Sequence, residues 1–140
     1  MAESETYDSA WWSMKIATGW HVRTDKECAT FQQSPCIGAF QISSARKDGP
    51  ISSGDLKAFA NEQMPHGTQL VEVSYGDFLG FTACYQREEM LWREWWLGFG
   101  PLMIYATYNV PKKALKEALS EQRDLERMLA TLKSRNVAAL

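Results

Sequence analysis

Polar and apolar residues alternate with a period of two along most of this 140-residue chain, and two stretches switch to the three- and four-residue spacing of a helix. Residues 11–17 set Trp12, Met14 and Ile16 against more polar neighbours, and Thr18-Gly19 then turns the chain into Trp20-His21-Val22-Arg23. This predicts two short strands around a turn. Residues 28–32 and 37–45 continue the pattern, with Phe40 and Ile42 on one side and Ile37, Ala39, Gln41 and Ser43 on the other. A hairpin through Ser34-Pro35 is expected between them. From residue 68 to 75, Val71, Val73 and Tyr75 face one way and Leu70, Glu72 and Ser74 the other; Gly76-Asp77 then signals a turn. Gly80 marks a bulge or a crowded backbone. Phe81, Ala83 and Tyr85 oppose Thr82, Cys84 and Gln86 up to a tight connection at Arg87-Glu88-Glu89. The run 90–99 places Trp92, Glu94 and Trp96 on one face and Arg93, Trp95, Leu97 and Phe99 on the other. A turn at 98–101 leads into 102–109, rich in β-branched and aromatic residues. The strands from 68 to 109 are read as an antiparallel meander.

The first helical stretch follows the turn cluster Lys47-Asp48-Gly49-Pro50, where Ser52, Ser53 and Asp55 supply capping oxygens ahead of Leu56, Phe59, Ala60 and Met64. It should end at Met64, because Pro65 disfavours helical geometry in the residue before it. The second is longer. Pro111 suits a first helical turn, and Leu115, Ala118, Leu119, Gln122, Leu125, Met128, Leu129 and Leu132 recur at helical spacing. This apolar stripe needs a partner, and the meander offers one face of a sheet. The fold class expected is α+β: an antiparallel sheet of about six to seven strands flanked by helices, an αβα sandwich.

No repeat or linker divides the chain, and its five prolines fall between periodic segments. The expected organisation is a disordered or flexible tail at 1–10, one domain at 11–135 and a short C-terminal tail at 136–140. The size and the 45% hydrophobic content suit one packed core and exclude a disordered chain. The N-terminal segment carries Glu3, Glu5 and Asp8 without a Lys or Arg, unlike a secretory signal, and no apolar run reaches transmembrane length. A cytoplasmic location is therefore expected, and the odd number of cysteines, Cys28, Cys36 and Cys84, argues against a disulfide framework. A formal charge of −2 leaves no basic field for nucleic acid or an anionic membrane. The segment from Pro111 carries seven basic and four acidic residues, so the first 110 residues hold a charge of −5. A solvated helix face accounts for that asymmetry.

Candidate chemistry is sparse. His21 and His66 lack the close-spaced partners of a metal site, so no metal and no other cofactor is expected. Cys84 reads as a small buried hydrophobe within a strand, and Cys36 as the more accessible thiol, with no activating base nearby in sequence. Gly98-x-Gly100 has no third glycine and no following helix, so it is no dinucleotide fingerprint. Glu88 and Glu89 read as solvated charge. Glu94, in a strand among aromatics, must find a partner or stay near water; a cross-strand residue such as Arg87 is one candidate, and a structural ion pair is favoured over catalysis. No catalytic constellation emerges. The strongest candidate is aromatic: 17 Phe, Trp and Tyr residues, six of them Trp. Most serve as core mass on two sheet faces, which leaves Trp92, Glu94 and Trp96, with Tyr108 of the next strand beside them, as the candidate binding face.

The order of these elements is similar to that of the small PsbP-like superfamily, which includes bacterial DcrB-type domains and the Ran nucleotide-release factor. The likeness lies in the early W-x-M-x-I-x-x-GW strand and turn, IGAFQISSARKDGPIS before a helix, GDFLGFTACY, WREWWL, LMIYATYN-x-P and a terminal helix ending MLATLKS. The resemblance implies a curved antiparallel sheet between helices, and it covers residues 11–134. The superfamily's members do unrelated things, so the likeness implies no activity. The chain shows neither the lipoprotein signal of DcrB-type envelope proteins nor an acidic motif of the Ran-binding branch. The function expected is a non-catalytic protein-binding or adaptor domain, in its narrower form a bacterial immunity protein for a co-encoded toxin. The alternative is a small-molecule-binding protein or enzyme using an aromatic pocket with Glu94. A protein partner is expected, nucleic acid and membrane are not, and a homodimer through a strand edge or the aromatic patch also fits.

Overall fold

A computed structural model describes residues 5–26, 28–33 and 36–135. Two antiparallel sheets and two helices make up the fold, which is mostly strand and broadly α+β. The large sheet has seven strands: β3 (Trp20–Asp25), β4 (Cys28–Gln33), β5 (Ala39–Arg46), β6 (Val71–Tyr75), β7 (Phe78–Arg87), β8 (Met90–Phe99) and β9 (Leu102–Pro111). Their spatial order is β3-β4-β5-β9-β8-β7-β6. The meander from β6 to β9 thus forms as the alternation predicts, and β5 closes onto β9 rather than onto β6. The connection at Ser34-Pro35 lies outside the described residues.

The small sheet joins β1 (Glu5–Asp8), β2 (Trp12–Ile16) and β10 (Lys133–Ser134), with β2 in the centre. The N-terminal residues therefore differ from the tail expected over 1–10. Tyr7 accounts for this: its ring packs 5.5 Å from that of Phe31 and 5.4 Å from that of Trp12, so a polar segment is held by one aromatic anchor. Residues 1–4 and 136–140 lie outside the described residues.

The two faces of the large sheet are covered differently. Helix α1 (Ser53–Gln63) carries the expected Ser52 cap as a reciprocal box: the Asp55 backbone N–H donates to Ser52 Oγ at 3.0 Å, and the Ser52 N–H donates to Asp55 Oδ2 at 3.0 Å. Lys47 pairs with Asp55 at 2.8 Å, and this contact, with the hydrogen bonds from Ser52, holds the Asp55 carboxyl down at about 2. Leu56 and Ala60 of α1 bury Phe81, Ala83 and Trp96, with Phe59, Met64 and Tyr105 at the margin. The opposite face meets α2 (Leu119–Leu129) together with β2. There Trp12, Met14, Leu125, Met128 and Leu129 pack on Phe31, Phe40, Ile42, Trp95, Ile104 and Ala106, which form the larger core.

The second helix is shorter than its stripe predicts. Pro111 closes β9, a 3-10 turn occupies Lys112–Ala114, and α2 starts only at Leu119. The later start re-aims the helix. Leu115 and Leu119, expected in the buried stripe, are 40% and 49% exposed, whereas Glu121 is wholly buried. Cys84, expected inside, is exposed.

Candidate functional site

The register of β8 on β9 decides which side chains share a face. A two-residue loop at Gly100-Pro101 pairs Phe99 with Leu102, and every later pair follows: Trp96 with Tyr105, Glu94 with Thr107, Arg93 with Tyr108, Trp92 with Asn109. Tyr108 therefore projects with Arg93 to the α2 side, away from Trp92, Glu94 and Trp96. The expected four-residue face is divided, and its tyrosines are Tyr105 and Tyr85, the latter opposite Trp92 on β7. Counting residues outward from the Gly100-Pro101 turn would have revealed this.

On the α1 side Trp96 is fully buried beneath the helix and stacks on Tyr105 with centroids 6.1 Å apart. Its Nε1 makes no hydrogen bond to the described residues. Trp96 is core rather than surface. Trp92 lies beyond the end of the helix cover, half-buried, with its ring 6.4 Å from that of Tyr85 and within 9° of parallel to it. Between these two aromatic pairs sits Glu94, 2% exposed. Its partner is not Arg87, whose guanidinium lies over the Tyr85 ring at 5.4 Å. The Tyr85 hydroxyl donates to Oε1 at 2.7 Å, and the Tyr105 hydroxyl donates to Oε2. Two phenols thus satisfy a buried carboxylate that has no ion pair among the described residues.

A second buried carboxylate anchors α2. Glu121 accepts from the Tyr108 hydroxyl at 2.6 Å, from the Gly38 N–H at 2.7 Å and from the Ile37 N–H at 3.2 Å, so one side chain ties α2 to β9 and to the strand entry before β5. An added Cβ at Gly38 would sit 2.7 Å from both the Asn109 carbonyl oxygen and Tyr108 Cε1, so glycine is required for this approach. One turn on, Glu126 takes the Tyr75 hydroxyl at 3.0 Å and the Arg93 guanidinium at 2.5 Å, while Trp95 Nε1 donates to the Tyr75 oxygen at 3.2 Å. Sequence reasoning missed Glu121, although an acidic residue three after Ala118 and four before Leu125 on an apolar stripe was the available signal.

These contacts raise the tyrosine pKa values. Burial first, and then the Glu94 carboxylate, hold Tyr85 protonated up to about 12; burial and Glu94 push Tyr105 well above the ordinary phenol range. Burial and Glu121 do the same to Tyr108. In the unfolded chain a tyrosine ionises near 10. Below that pH these groups give stability no pH dependence. Above it the unfolded state loses protons that the folded state keeps, so stability falls from pH ~10 through 12 and beyond. The slope reaches at most ~1.4 kcal/mol per pH unit per tyrosine, less for Tyr85, whose surroundings are partly wet. Urea midpoints measured between pH 8 and 12 are expected to drop steeply above 10, and Tyr105→Phe to flatten that drop while lowering the midpoint at neutral pH. A pH-independent midpoint across this range would contradict the assignment.

Below these networks, on the α2 side, lies an apolar cleft of about 340 Å³ between α2 and the ends of β7, β8 and β9. Leu91, Val110, Leu115 and Leu125 supply its apolar walls, Gln122 and Arg93 its polar ones, and the exposed Cys84 its outer lip. A wider cleft of about 630 Å³ opens at the start of α1 beside Leu79, Phe99, Glu72 and Asp77. His21 and His66 are exposed, and among the described residues no three His, Cys, Asp or Glu side chains gather at metal-binding distance. Cys28, Cys36 and Cys84 are free thiols.

The fold so described is an antiparallel α+β domain in which two buried, tyrosine-bound carboxylates brace the sheet and an apolar cleft opens beside one helix. No protein-family model matches the chain, and no curated protein matches it. Among solved structures it is similar to a protein of Bacteroides thetaiotaomicron VPI-5482, determined by crystallography at 1.50 Å. The TM-score is 0.68 at 21% identity, over 95% of this chain and 49% of the other, so the chain spans about half the length of that protein. At this identity the likeness shows the fold alone. No helix among the described residues is long and apolar enough to cross a membrane.

Proposed function

We propose that this chain is a non-catalytic protein-binding domain whose contact surface is the apolar cleft between α2 and the β7–β9 end of the sheet. One observation carries the reading: the late start of α2 leaves Leu115, 40% exposed, on a cleft walled by Leu91, Val110 and Leu125, with Leu119, 49% exposed, four residues further along the chain. An apolar cleft with a leucine rim is what a partner side chain fills, and a few such residues carry most of the energy of an interface. The state of the carboxylates supports the same reading. Both oxygens of Glu94 accept tyrosine hydroxyls, and Glu121 is occupied by three donors, so neither is presented to a substrate. We further assign the layering, α1 on one face of a seven-stranded antiparallel sheet and α2 on the other, to the αβα sandwich of the PsbP-like superfamily. The supporting features are the strand count and the placement of the two helices.

The test uses the exposed rim rather than Trp96, whose removal would empty the core. Tagged protein is used to capture binders from its native lysate, and the stoichiometric partner is then titrated against wild type and the double variant Leu115→Asp, Leu119→Asp. Both sites are exposed, so folding stability should change by no more than ~0.5 kcal/mol per site. Affinity should fall at least about thirtyfold, the loss expected of a hot-spot pair. A partner held equally well by the double variant, or no stoichiometric partner at all, overturns the reading.

A further inference from the structure

The cleft opens onto an unpaired stretch of sheet edge. β6 pairs with β7 only from Phe78 to Thr82, because its first residue, Val71, lies opposite Thr82. Thr68 is drawn into a turn instead, its N–H donating to the Pro65 carbonyl at 3.2 Å. Among the described residues no strand pairs with the outer side of 84–87, whereas the inner side is laddered to β8 as far as Arg87 opposite Met90. The other outer strand, β3, exposes His21, Arg23, Thr24 and Asp25, the charged and polar display that discourages strand pairing. The β7 stretch carries one charge, Arg87, which has no ion pair among the described residues.

We propose that an extended segment of a partner protein adds to β7 as a further strand at 84–87, placing an apolar side chain in the cleft and a carboxylate against Arg87. The proposal rests on the protein-binding reading above and names the form its partner takes. An unpaired run of main-chain donors and acceptors is complemented by extended backbone, which binds about 4.8 Å away and takes its specificity from alternate side chains. The residue opposite Cys84 projects to the same face as Cys84, over the lip of the cleft, and the cleft has room for a side chain of leucine or phenylalanine size. Arg93 is already paired with Glu126 at 2.5 Å, so among the described residues the cation without an ion pair at this edge is Arg87, and it selects an acidic neighbour in the segment. A second copy of this chain fits less well. In antiparallel self-pairing about Tyr85 the side chains offered to the cleft face would be Cys84 and Gln86, neither of which fills an apolar cavity.

The experiment titrates the 140-residue chain by NMR with a synthetic peptide of about eight residues in alternating Val and Thr, with a central Leu and a terminal Asp, long enough to span the edge. The control peptide has Pro at the alternate donor positions. Slower amide exchange at 84–87 and shifted methyls of Leu115 and Leu125 are expected with the first peptide, and neither with the control. Cys84→Trp, which blocks the lip, and Arg87→Glu should each weaken binding at least about tenfold. Perturbation elsewhere, equal binding by Cys84→Trp, or no binding at millimolar peptide overturns the proposal, as does a concentration-dependent dimer that excludes the peptide. If the peptide fails while the Leu115→Asp, Leu119→Asp variant still loses its lysate partner, strand addition falls and protein binding stands. If that variant keeps its partner, the protein-binding reading falls with it.

Discussion

Replacing Glu121 with alanine is expected to destabilise the domain by about 3–5 kcal/mol, near the top of the range for one substitution. The carboxylate is fully buried and accepts the Tyr108 hydroxyl and the N–H groups of Gly38 and Ile37. Truncation leaves those donors in a low-dielectric interior, and the penalty of an orphaned buried donor exceeds the net worth of the bond it made. Glu121→Gln keeps one acceptor oxygen but turns an N–H₂ toward a backbone donor, so it should cost less than alanine yet more than Tyr108→Phe, for which ~1–2 kcal/mol is expected. Denaturant unfolding of Glu121→Ala, Tyr108→Phe and the double variant forms a cycle, and strong non-additivity is expected because the two residues share one network. A cost below ~1 kcal/mol for Glu121→Ala would mean that α2 is held by its apolar face alone.

An equally large effect is expected at Gly80. A Cβ built there would lie 1.9 Å from the Trp96 carbonyl oxygen and 2.9 Å from the Leu97 Cα, both main-chain atoms of β8. No side-chain rotation relieves a clash with backbone, so Gly80→Ala must push β7 away from β8 in the middle of the sheet. The expected loss exceeds ~3 kcal/mol and is accompanied by loss of amide protection on both strands. Gly19→Ala is the contrast: nothing lies within 4 Å of its added Cβ, and the cost comes from φ +90° alone. About 1–2 kcal/mol is expected there, the price of left-handed backbone for an L residue. Equal costs at the two glycines would show that crowding between β7 and β8 is not what selects glycine at position 80.

Much of this fold could be read from the order of residues. The alternations of 68–75, 81–86, 90–99 and 102–109 became β6 to β9, and Leu56 and Ala60 became the buried side of α1, with Phe59 and Met64 at its margin and the cap at Ser52 and Asp55 as expected. Gly80 was legible as a crowded backbone. The division of aromatics between two faces was correct for β8, with Trp96 under α1 and Trp95 against the larger core. The candidate site was less legible. Trp92, Glu94 and Trp96 do share a face, yet Tyr108 projects to the other, because the two-residue turn sets a register that couples even positions of β8 to odd positions of β9. Arg87, one candidate partner for Glu94, lies over a ring instead, and neutral phenols hold the carboxylate.

The misses share a cause. Leu115 and Leu119 carry helical spacing, and nothing local marks where the helix starts. That start follows from where Pro111 ends β9 and from Glu121 reaching Gly38, 83 residues away in sequence. By itself, then, the sequence determined what periodicity and local chemistry can encode: the strands of the large sheet, the presence of two helices, the crowded backbone at Gly80, and which side chains alternate along one strand. The tertiary structure decided what depends on strands meeting and on long-range contact. It set Tyr85 and Tyr105 on Glu94 and closed Tyr108 and Gly38 on Glu121. It also stopped β6 short of Cys84, and turned two leucines outward, one of them, Leu115, onto a cleft at an open edge. A pattern of period two names the two faces of a strand, but only the neighbouring strand's register decides which residues meet across them.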